Sequence, residues 1–199
     1  MPTASAARSL TRDDWLDAAM SAMAHGGVRG IRVEPLAKAM RTSKGSFYWH
    51  FRDRADLIEA TLERWEQLET DRVIEVVEST SHPRERLRRL LAIAHRQDAR
   101  RPDPSVALTG DHDDELVRVV LERVTARRIG FVAEQLVAQG IAPEEAARRA
   151  TLAYTSYLGY AALVRSAPGA LPADRSVQRY IESVLTVLVS ATTEHRGDG

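Results

Sequence analysis

The sequence predicts an all-α fold of about nine helices, and three observations lead to that prediction. Apolar residues recur at spacings of three and four along most of the 199 residues, which is the period of an amphipathic helix. No run shows the apolar–polar alternation of a half-buried strand, and no internal repeat is present. Glycine and proline divide the periodic stretches into separate segments. The helices must therefore bury their apolar faces against one another.

The composition excludes several classes of protein. The chain has no cysteine, which excludes disulfides, thiolate metal sites and thiol catalysis and favours a reducing compartment. Its most apolar late stretch, 184–189, is far shorter than the roughly 20 residues that a membrane span needs. The N-terminus lacks the apolar segment of a signal peptide. We therefore expect a cytoplasmic protein with no membrane partner.

The first helix is predicted to begin after Thr11. Residues 11–14 have the form of a capping box, in which the Thr11 hydroxyl accepts an early amide hydrogen and Asp14 lies at the positive end of the helix dipole. Its buried face would consist of Trp15, Leu16, Ala19, Met20 and Met23. Gly26-Gly27 ends the helix, because glycine readily adopts the terminating conformation.

A short second helix and a third helix of unusual composition follow. Pro35 falls in the first turn of the second helix, where its missing amide hydrogen costs little. Residues 41–43 form a turn. Residues 44–51 then combine a lysine, a glycine and a serine with a run of aromatic residues and a histidine. Phe47 and Phe51 would close a core that the first three helices share.

Helix, brief turn and helix is the arrangement that places a second helix in the major groove of DNA. The stretch from about Thr11 to Ile58 resembles the N-terminal DNA-binding domain of the TetR family of bacterial transcriptional regulators. The resemblance is carried by the tight turn that ends in a hydroxyl residue and by Gly45, Phe47, Tyr48, His50 and Phe51. It implies a helix-turn-helix domain over 1–54, a C-terminal helical domain over 55–199 for ligand binding and dimerisation, and a homodimer on a double-stranded DNA operator.

The third helix would make contacts of two kinds, since phosphate contacts fix the register while contacts to base edges select the sequence. Ser43 or Thr42 can cap its N-terminus, whose free amides also suit a phosphate, and Lys44 adds a positive charge there. Gly45 allows the backbone to approach the duplex closely. Ser46 can hydrogen-bond a base edge or a phosphate.

The remaining DNA contacts come partly from the resemblance. It assigns Tyr48 and His50 to phosphate contacts and Arg54 to the position of a basic phosphate ligand, while Trp49 has a shape suited to thymine methyl groups or sugars. An interface within the protein is the alternative role for these rings. The predicted DNA-binding residues are Arg32, Thr42, Ser43, Lys44, Gly45, Ser46, Tyr48, Trp49, His50 and Arg54.

Two positions depart from the family pattern. Arg41 stands where a glycine normally makes the turn, so either this arginine is left-handed or the turn differs. Arg32 replaces the customary threonine that caps the second helix. A guanidinium has no acceptor and cannot cap amides, but it can reach a phosphate.

The basic residues are concentrated near the N-terminus. Through Arg54 the chain has nine Lys or Arg against five acids, whereas the whole chain has 28 of each. A locally basic segment on a neutral body is typical of a module that faces phosphates.

Further helices are predicted beyond this segment. A long helix begins at about Arg54 and continues past Val77 until Ser81-His82-Pro83 breaks it, and residues 101–104 end the next one. The remaining helices are predicted from about Asp113 to Gln139, from Pro143 to Ser166 and from about Asp174 to Thr192.

A pocket for an effector should be mostly apolar with a few aimed polar groups. The ligand-binding candidates are Trp65, Leu68, His95, Phe131, Tyr154 and Tyr157. His95 continues the line of Leu87 and Leu91 at a spacing of four, so it is either a partly solvated structural histidine or a ligand contact. For the tyrosines, core packing with a hydrogen-bonded hydroxyl is an equal alternative.

The resemblance also implies that the last two helices pair with their copies in a partner chain. Ala153, Gly159, Ala161 and Ala162 keep one of them slim, and the apolar stripe from Val177 to Leu188 is wider than one neighbour needs. A core within one chain explains the stripe nearly as well.

The expected function is that of a homodimeric DNA-binding transcriptional regulator, a repressor that a small apolar or aromatic ligand releases from a palindromic operator. No nucleophile motif supports catalysis, and the acids that follow His112 suit a helix start better than a metal site. We therefore expect no enzyme activity, no cofactor and no metal. The alternatives are a small-molecule carrier or enzyme with a vestigial DNA-binding domain, and an activator on the same fold.

Overall fold

The computed structural model describes residues 10–95, 103–171 and 176–190, and every regular element in these ranges is helical. The α-helices are α1 (Arg12–Gly26), α2 (Val33–Ala39), α3 (Lys44–Tyr48), α4 (Arg54–Glu66), α5 (Arg72–Glu78), α6 (Pro83–Ala94), α7 (Pro104–Leu108), α8 (Glu115–Val137), α9 (Pro143–Ser166) and α10 (Val177–Val189). A π-helical turn, Gln67–Asp71, joins α4 to α5 in one helical run. The prediction of an all-α fold with about nine helices is confirmed.

The chain forms two compact units. Among the described residues, the first unit contains 10–69 and 103–122, and the second contains 70–95, 123–171 and 176–190. The chain passes from one unit to the other within the π-helical turn and within α8. A functional boundary at residue 54 stays a prediction.

The first unit has an aromatic core. Helix α1 begins at the predicted capping box, in which the amide of Asp14 donates to Thr11 Oγ1 at 3.2 Å and the amide of Thr11 donates to Asp14 Oδ2 at 2.7 Å. The buried rings of Trp15 and Phe47 meet edge to face with centroids 5.3 Å apart, and Phe47 stacks on Phe51 at 5.6 Å. Such pairs add about 0.5–1.5 kcal/mol each beyond area burial. These rings therefore fix α3 against α1, as the sequence predicted.

The end of α1 depends on a glycine and on a distant carboxylate. Gly27 has a φ of +60°, and Val28–Gly30 then form a 3-10 turn. The amide of Val28 donates to Asp111 Oδ2 at 2.6 Å, and Asp111 Oδ1 lies 3.2 Å from Arg29 Nε. A Cβ at position 27 would overlap this carboxylate. Glycine is therefore required both for the backbone conformation and for the approach of Asp111.

The second unit has an aliphatic core between α6, α8, α9 and α10. Its buried residues are Leu87, Leu91, Val132, Leu136, Ala146, Ala150, Ala153, Ile181, Leu185 and Leu188. The alanines let α9 pack closely against its neighbours. Helix α9 has the predicted bounds, while Asp174 and Thr192, the predicted ends of α10, lie outside the described residues. No helix in the described ranges is long and apolar enough to span a membrane.

Candidate nucleic-acid interface and aromatic cluster

The turn between α2 and α3 closes through a Schellman motif. The amide of Thr42 donates to Ala37 O at 2.9 Å, and the amide of Arg41 donates to Lys38 O at 3.1 Å. Arg41 follows the C-cap with a φ of +55°, in the position where glycine is favoured. Of the two predicted possibilities, the structure therefore contains the left-handed arginine. Arg32 is the N-cap of α2 and makes no capping bond through its side chain.

Helix α3 begins at a serine cap beside a lysine. Ser43 Oγ accepts the amide hydrogen of Ser46 at 3.3 Å, so Ser43 rather than Thr42 provides the cap. Lys44 Nζ lies 3.0 Å from Glu34 Oε1, and this hydrogen bond to a carboxylate raises the pKa of Lys44. The ammonium group is therefore charged and remains exposed at the start of α3.

Two large rings extend from the other end of α3 into solvent. Tyr48 is 58% exposed and Trp49 is 87% exposed, although the adjacent Phe47 is completely buried. Because Phe47 is fixed in the core, the backbone directs the next two side chains outwards. Neither ring belongs to the core of the first unit. Large exposed aromatic side chains next to a basic helix start are typical of a binding surface.

His50 and Arg54 both have partners within the first unit. His50 Nε2 lies 2.9 Å from Leu10 O, and because a carbonyl can only accept, Nε2 is the donor. Arg54 donates through Nε to Ile31 O at 2.6 Å and through Nη2 to Val28 O at 2.7 Å. Arg54 therefore fastens the start of α4 to the segment between α1 and α2. Three guanidinium hydrogens remain for another acceptor, and the phosphate contact stays a prediction.

In the segment that precedes the helix-turn-helix, both backbone polar groups of Val28 are hydrogen-bonded. The amide of Val28 donates to Asp111, and its carbonyl accepts from Arg54. Exposed cations follow on α2 and the turn, namely Arg32, Lys38 and Arg41. Sequence reasoning missed Asp111, because the glycine pair signals a positive φ but not the carboxylate that binds the next residue, Val28, from 83 residues away.

A cluster of aromatic rings surrounds His95 in the second unit. We call His95, Tyr157, Tyr160 and Tyr180 the aromatic cluster. The His95 ring centroid lies 6.0, 5.3 and 5.2 Å from those of Tyr157, Tyr160 and Tyr180, respectively. Tyr160 and Tyr180 stack at 4.6 Å. His95 is 1% exposed, so the expectation of a partly solvated histidine is wrong. The tyrosines of α9 and α10 cover the end of α6, which the spacing within α6 could not reveal.

The structure brings some of the predicted ligand-binding residues together. Tyr154 lies 5.9 Å from Tyr157 and so extends the aromatic cluster, and its hydroxyl lies 3.2 Å from Thr125 Oγ1. Phe131 is buried on α8 in the same unit, whereas Trp65 and Leu68 lie in the first unit. Sequence reasoning missed Tyr160 and did not connect Tyr180 with His95, although both tyrosines are spaced along faces that it identified.

Sequence comparison with known protein families finds a match in the first unit. A model described as bacterial regulatory proteins, tetR family, matches residues 16–61. The HTH-type transcriptional regulator AcrR of Shigella flexneri is 36% identical over 61 residues, which is 31% of this chain and 27% of that protein. The helix-turn-helix segment is that of the TetR family. The aligned segment spans about a quarter of the length of AcrR. The residues that match the family model contain the helix-turn-helix but not the aromatic cluster.

Solved structures of transcriptional regulators match most of the chain. A crystal structure of a TetR-family regulator from Rhodococcus sp. has a TM-score of 0.63 at 25% identity and covers 90% of this chain and 98% of that one. A regulator from Saccharomonospora viridis, solved in complex with choline, has a TM-score of 0.72 at 19% identity and covers 86% of this chain and 93% of that one. The TetR-family fold therefore extends over both units.

Proposed function

We propose that the chain is a homodimeric, sequence-specific DNA-binding regulator that acts as a repressor and loses affinity for its operator when a small molecule binds. The observation that carries the proposal is the display of Tyr48 and Trp49, 58% and 87% exposed, beside the capped and positively charged start of α3. A protein with no surface partner for these rings would lose solubility by exposing them.

The geometry supports contacts with both parts of a duplex. The N-terminus of α3 offers free amide hydrogens and a partial positive charge to a phosphate, with Lys44 adjacent. Lys44 exchanges its contact with Glu34 for a phosphate at little cost, because both side chains are exposed. Trp49 supplies an apolar face for thymine methyl groups, and Ser46 a hydroxyl for a base edge. The Schellman turn at Arg41 fixes the angle at which α3 is presented.

Exposed apolar positions on α9 and α10 support a homodimer. Leu152 and Leu163 are 50% and 42% exposed, and their spacing places them on one face of α9 with Gly159. A Cβ at Gly159 would meet no atom within 4 Å, so this face can approach another helix closely. Val187 on α10 is 56% exposed. A second copy of the chain would cover these positions and place two α3 helices about 34–36 Å apart, if the half-sites lie one turn apart.

The aromatic cluster supports an effector site in the second unit. A ligand shifts a conformational equilibrium only through a difference in its affinity for the two states. A hundredfold loss of operator affinity requires about 2.7 kcal/mol of such coupling. The related regulator from Saccharomonospora viridis was crystallised with choline, a small organic molecule. A ligand of similar size that contacts the cluster would favour a conformation in which the two α3 helices have the wrong separation.

Binding to a mixed-sequence duplex of about 30 base pairs tests the proposal. Fluorescence anisotropy should show a purified dimer that loses orders of magnitude in affinity between 50 and 200 mM salt, since it releases counterions from several phosphates. Trp49→Ala should weaken binding about tenfold and leave the free energy of unfolding unchanged, because the ring is exposed.

Val137→Ala is the control, since Val137 is 43% exposed on α8 and belongs to the second unit. It should change neither duplex affinity nor stability. A carrier with a vestigial DNA-binding domain would retain no duplex even at 50 mM salt, and that result would exclude the proposed function. An activator would bind equally well, and a promoter–reporter strain would separate it from a repressor.

A further inference from the structure

One nitrogen of the aromatic cluster has an unusual environment. His95 Nδ1 lies 2.9 Å from Leu91 O, and a carbonyl can only accept, so Nδ1 carries the hydrogen. In the neutral ring Nε2 is then an acceptor with a free lone pair. Nε2 is buried, and no donor among the described residues reaches it. Buried polar atoms usually have a partner, and leaving one without costs free energy.

His95 Nε2 does not become a hydrogen-bond donor by taking up a proton at neutral pH. Burial lowers the pKa of His95, and the hydrogen bond to Leu91 opposes that effect only in part. The ring is therefore neutral and Nε2 remains an acceptor. An anionic ligand group near it would face the lone pair without gaining a hydrogen bond, which disfavours a carboxylate or a phosphate at this position.

The rest of the cluster favours an aromatic partner. Three tyrosine rings lie within 6.0 Å of the His95 ring in edge-on or tilted orientations, and Tyr160 stacks on Tyr180. Ring pairs at these distances and angles are favourable, and a further ring that packed on the cluster would gain contacts of the same kind. Tyr154, Tyr160 and Tyr180 are half-buried and so reach solvent, whereas His95 is almost completely buried.

We propose that the aromatic cluster binds an uncharged planar aromatic molecule that carries an N–H or O–H group, and that this group donates its hydrogen to His95 Nε2. This proposal rests on the proposed function in one respect: the function makes the bound molecule the effector. The binding chemistry follows from the acceptor, the surrounding rings and the depth of His95.

Indole and 1-methylindole form a matched pair of probes, because they differ by replacement of the N–H hydrogen with a methyl group. Isothermal titration calorimetry on the full chain should show that indole binds about tenfold more tightly, the effect of one buried hydrogen bond. The pair 4-ethylphenol and 4-ethylanisole makes the same comparison for an O–H donor. Tetramethylammonium, which has no donor, should bind more weakly than indole.

His95→Phe keeps a ring at this position and removes the acceptor. The affinity ratio of indole to 1-methylindole should fall to about one in this variant. His112→Phe is the control, since that imidazole is exposed in the first unit, and it should leave the ratio unchanged. The wild-type chain provides a second measurement that does not depend on folding of a variant: indole should shift the ¹⁵N resonance of His95 Nε2, and 1-methylindole should not.

Equal affinities for indole and 1-methylindole in the wild-type chain, or an unshifted Nε2 resonance, would overturn the proposal and leave bound water as the partner of Nε2. Stronger binding of tetramethylammonium than of indole would show that the tyrosine rings bind a cation instead.

Duplex binding is measured separately, and it distinguishes failure of this binding proposal from failure of the proposed function. If the duplex is retained without discrimination between the indoles, the inference fails alone. If the indoles are discriminated and no duplex is retained, the regulatory function fails alone.

Discussion

Two buried polar side chains, one in each unit, differ in how their hydrogen-bonding groups are satisfied. Asp111 in the first unit is 5% exposed and its carboxylate has both an amide and a guanidinium as partners. His95 in the second unit is 1% exposed and one of its nitrogens lacks a donor among the described residues. A buried group with partners on two elements fixes their relative position, whereas an unpaired acceptor gains from an added ligand. In the proposed function, the first unit presents a fixed surface to DNA and the second responds to a ligand.

The largest change in the free energy of unfolding should come from a substitution at Gly27, next to Asp111. Gly27→Ala places a Cβ against Asp111 and imposes a φ of +60° on alanine. We expect the free energy of unfolding to fall by about 3 kcal/mol or more, through strain and loss of the carboxylate contacts. Urea denaturation followed by circular dichroism measures this change.

Gly26→Ala is the control for this comparison. Gly26 lies in the last turn of α1, and a Cβ there meets no atom within 4 Å. Alanine should be neutral or stabilise the helix by up to about 1 kcal/mol. Similar losses for the two substitutions would show that Asp111 does not hold this turn.

A smaller effect should follow from Arg54, the second partner of Val28. Arg54→Lys keeps the positive charge but cannot reproduce the two hydrogen bonds to Ile31 O and Val28 O. We expect a loss of about 1–2 kcal/mol in the free energy of unfolding. The slope of duplex affinity against salt should be unchanged, because the number of cations is the same.

Arg32→Lys is the matched substitution, because Arg32 is exposed and its side chain makes no capping bond. It should leave stability within about 0.5 kcal/mol of wild type. If Arg54→Lys were equally neutral, Arg54 would be free to act as a phosphate ligand and its structural role would be refuted.

The sequence could predict the helix-turn-helix of the first unit well and the aromatic cluster of the second unit poorly, for a physical reason. The capping box at Thr11, the turn before Ser43 and the outward direction of Trp49 depend on neighbours within a few residues, so local pattern was sufficient. Asp111 and Tyr180 act on elements far away in the chain, and no local pattern indicates where they pack. The family pattern likewise covers residues 16–61 and stops before the aromatic cluster.

The pH dependence of stability should report the buried histidine of the second unit. Because burial lowers the pKa of His95 in the folded chain, the unfolded chain binds a proton first as the pH falls below about 6.5. Unfolding is then favoured, and stability decreases until the lowered folded pKa is reached. We expect a loss of about 1 kcal/mol per pH unit within this window.

Urea denaturation at pH 7.0, 6.0 and 5.5 measures this loss in the wild-type chain and in His95→Phe. The variant should lack this component, whereas His112→Phe should retain it. If indole donates to Nε2, it binds the neutral ring and opposes proton uptake by the folded chain. It should therefore make the pH dependence of the free energy of unfolding steeper. A variant with the wild-type pH dependence would show that His95 does not titrate in this way.

The smallest effect should come from the left-handed residue in the turn before α3. Arg41 has a φ of +55° in a Schellman motif, where the Cβ of any residue other than glycine is crowded. Arg41→Gly should therefore raise the free energy of unfolding by roughly 0.5–1 kcal/mol, even though glycine normally destabilises a folded chain. Met40→Gly, one residue earlier at a φ of −82°, should lower it by a similar amount. The opposite signs at adjacent positions distinguish backbone strain from the loss of a side chain. If Arg41→Gly also weakens duplex binding, the arginine contributes a cation to the DNA surface, and the strain in the turn is the cost of placing it there.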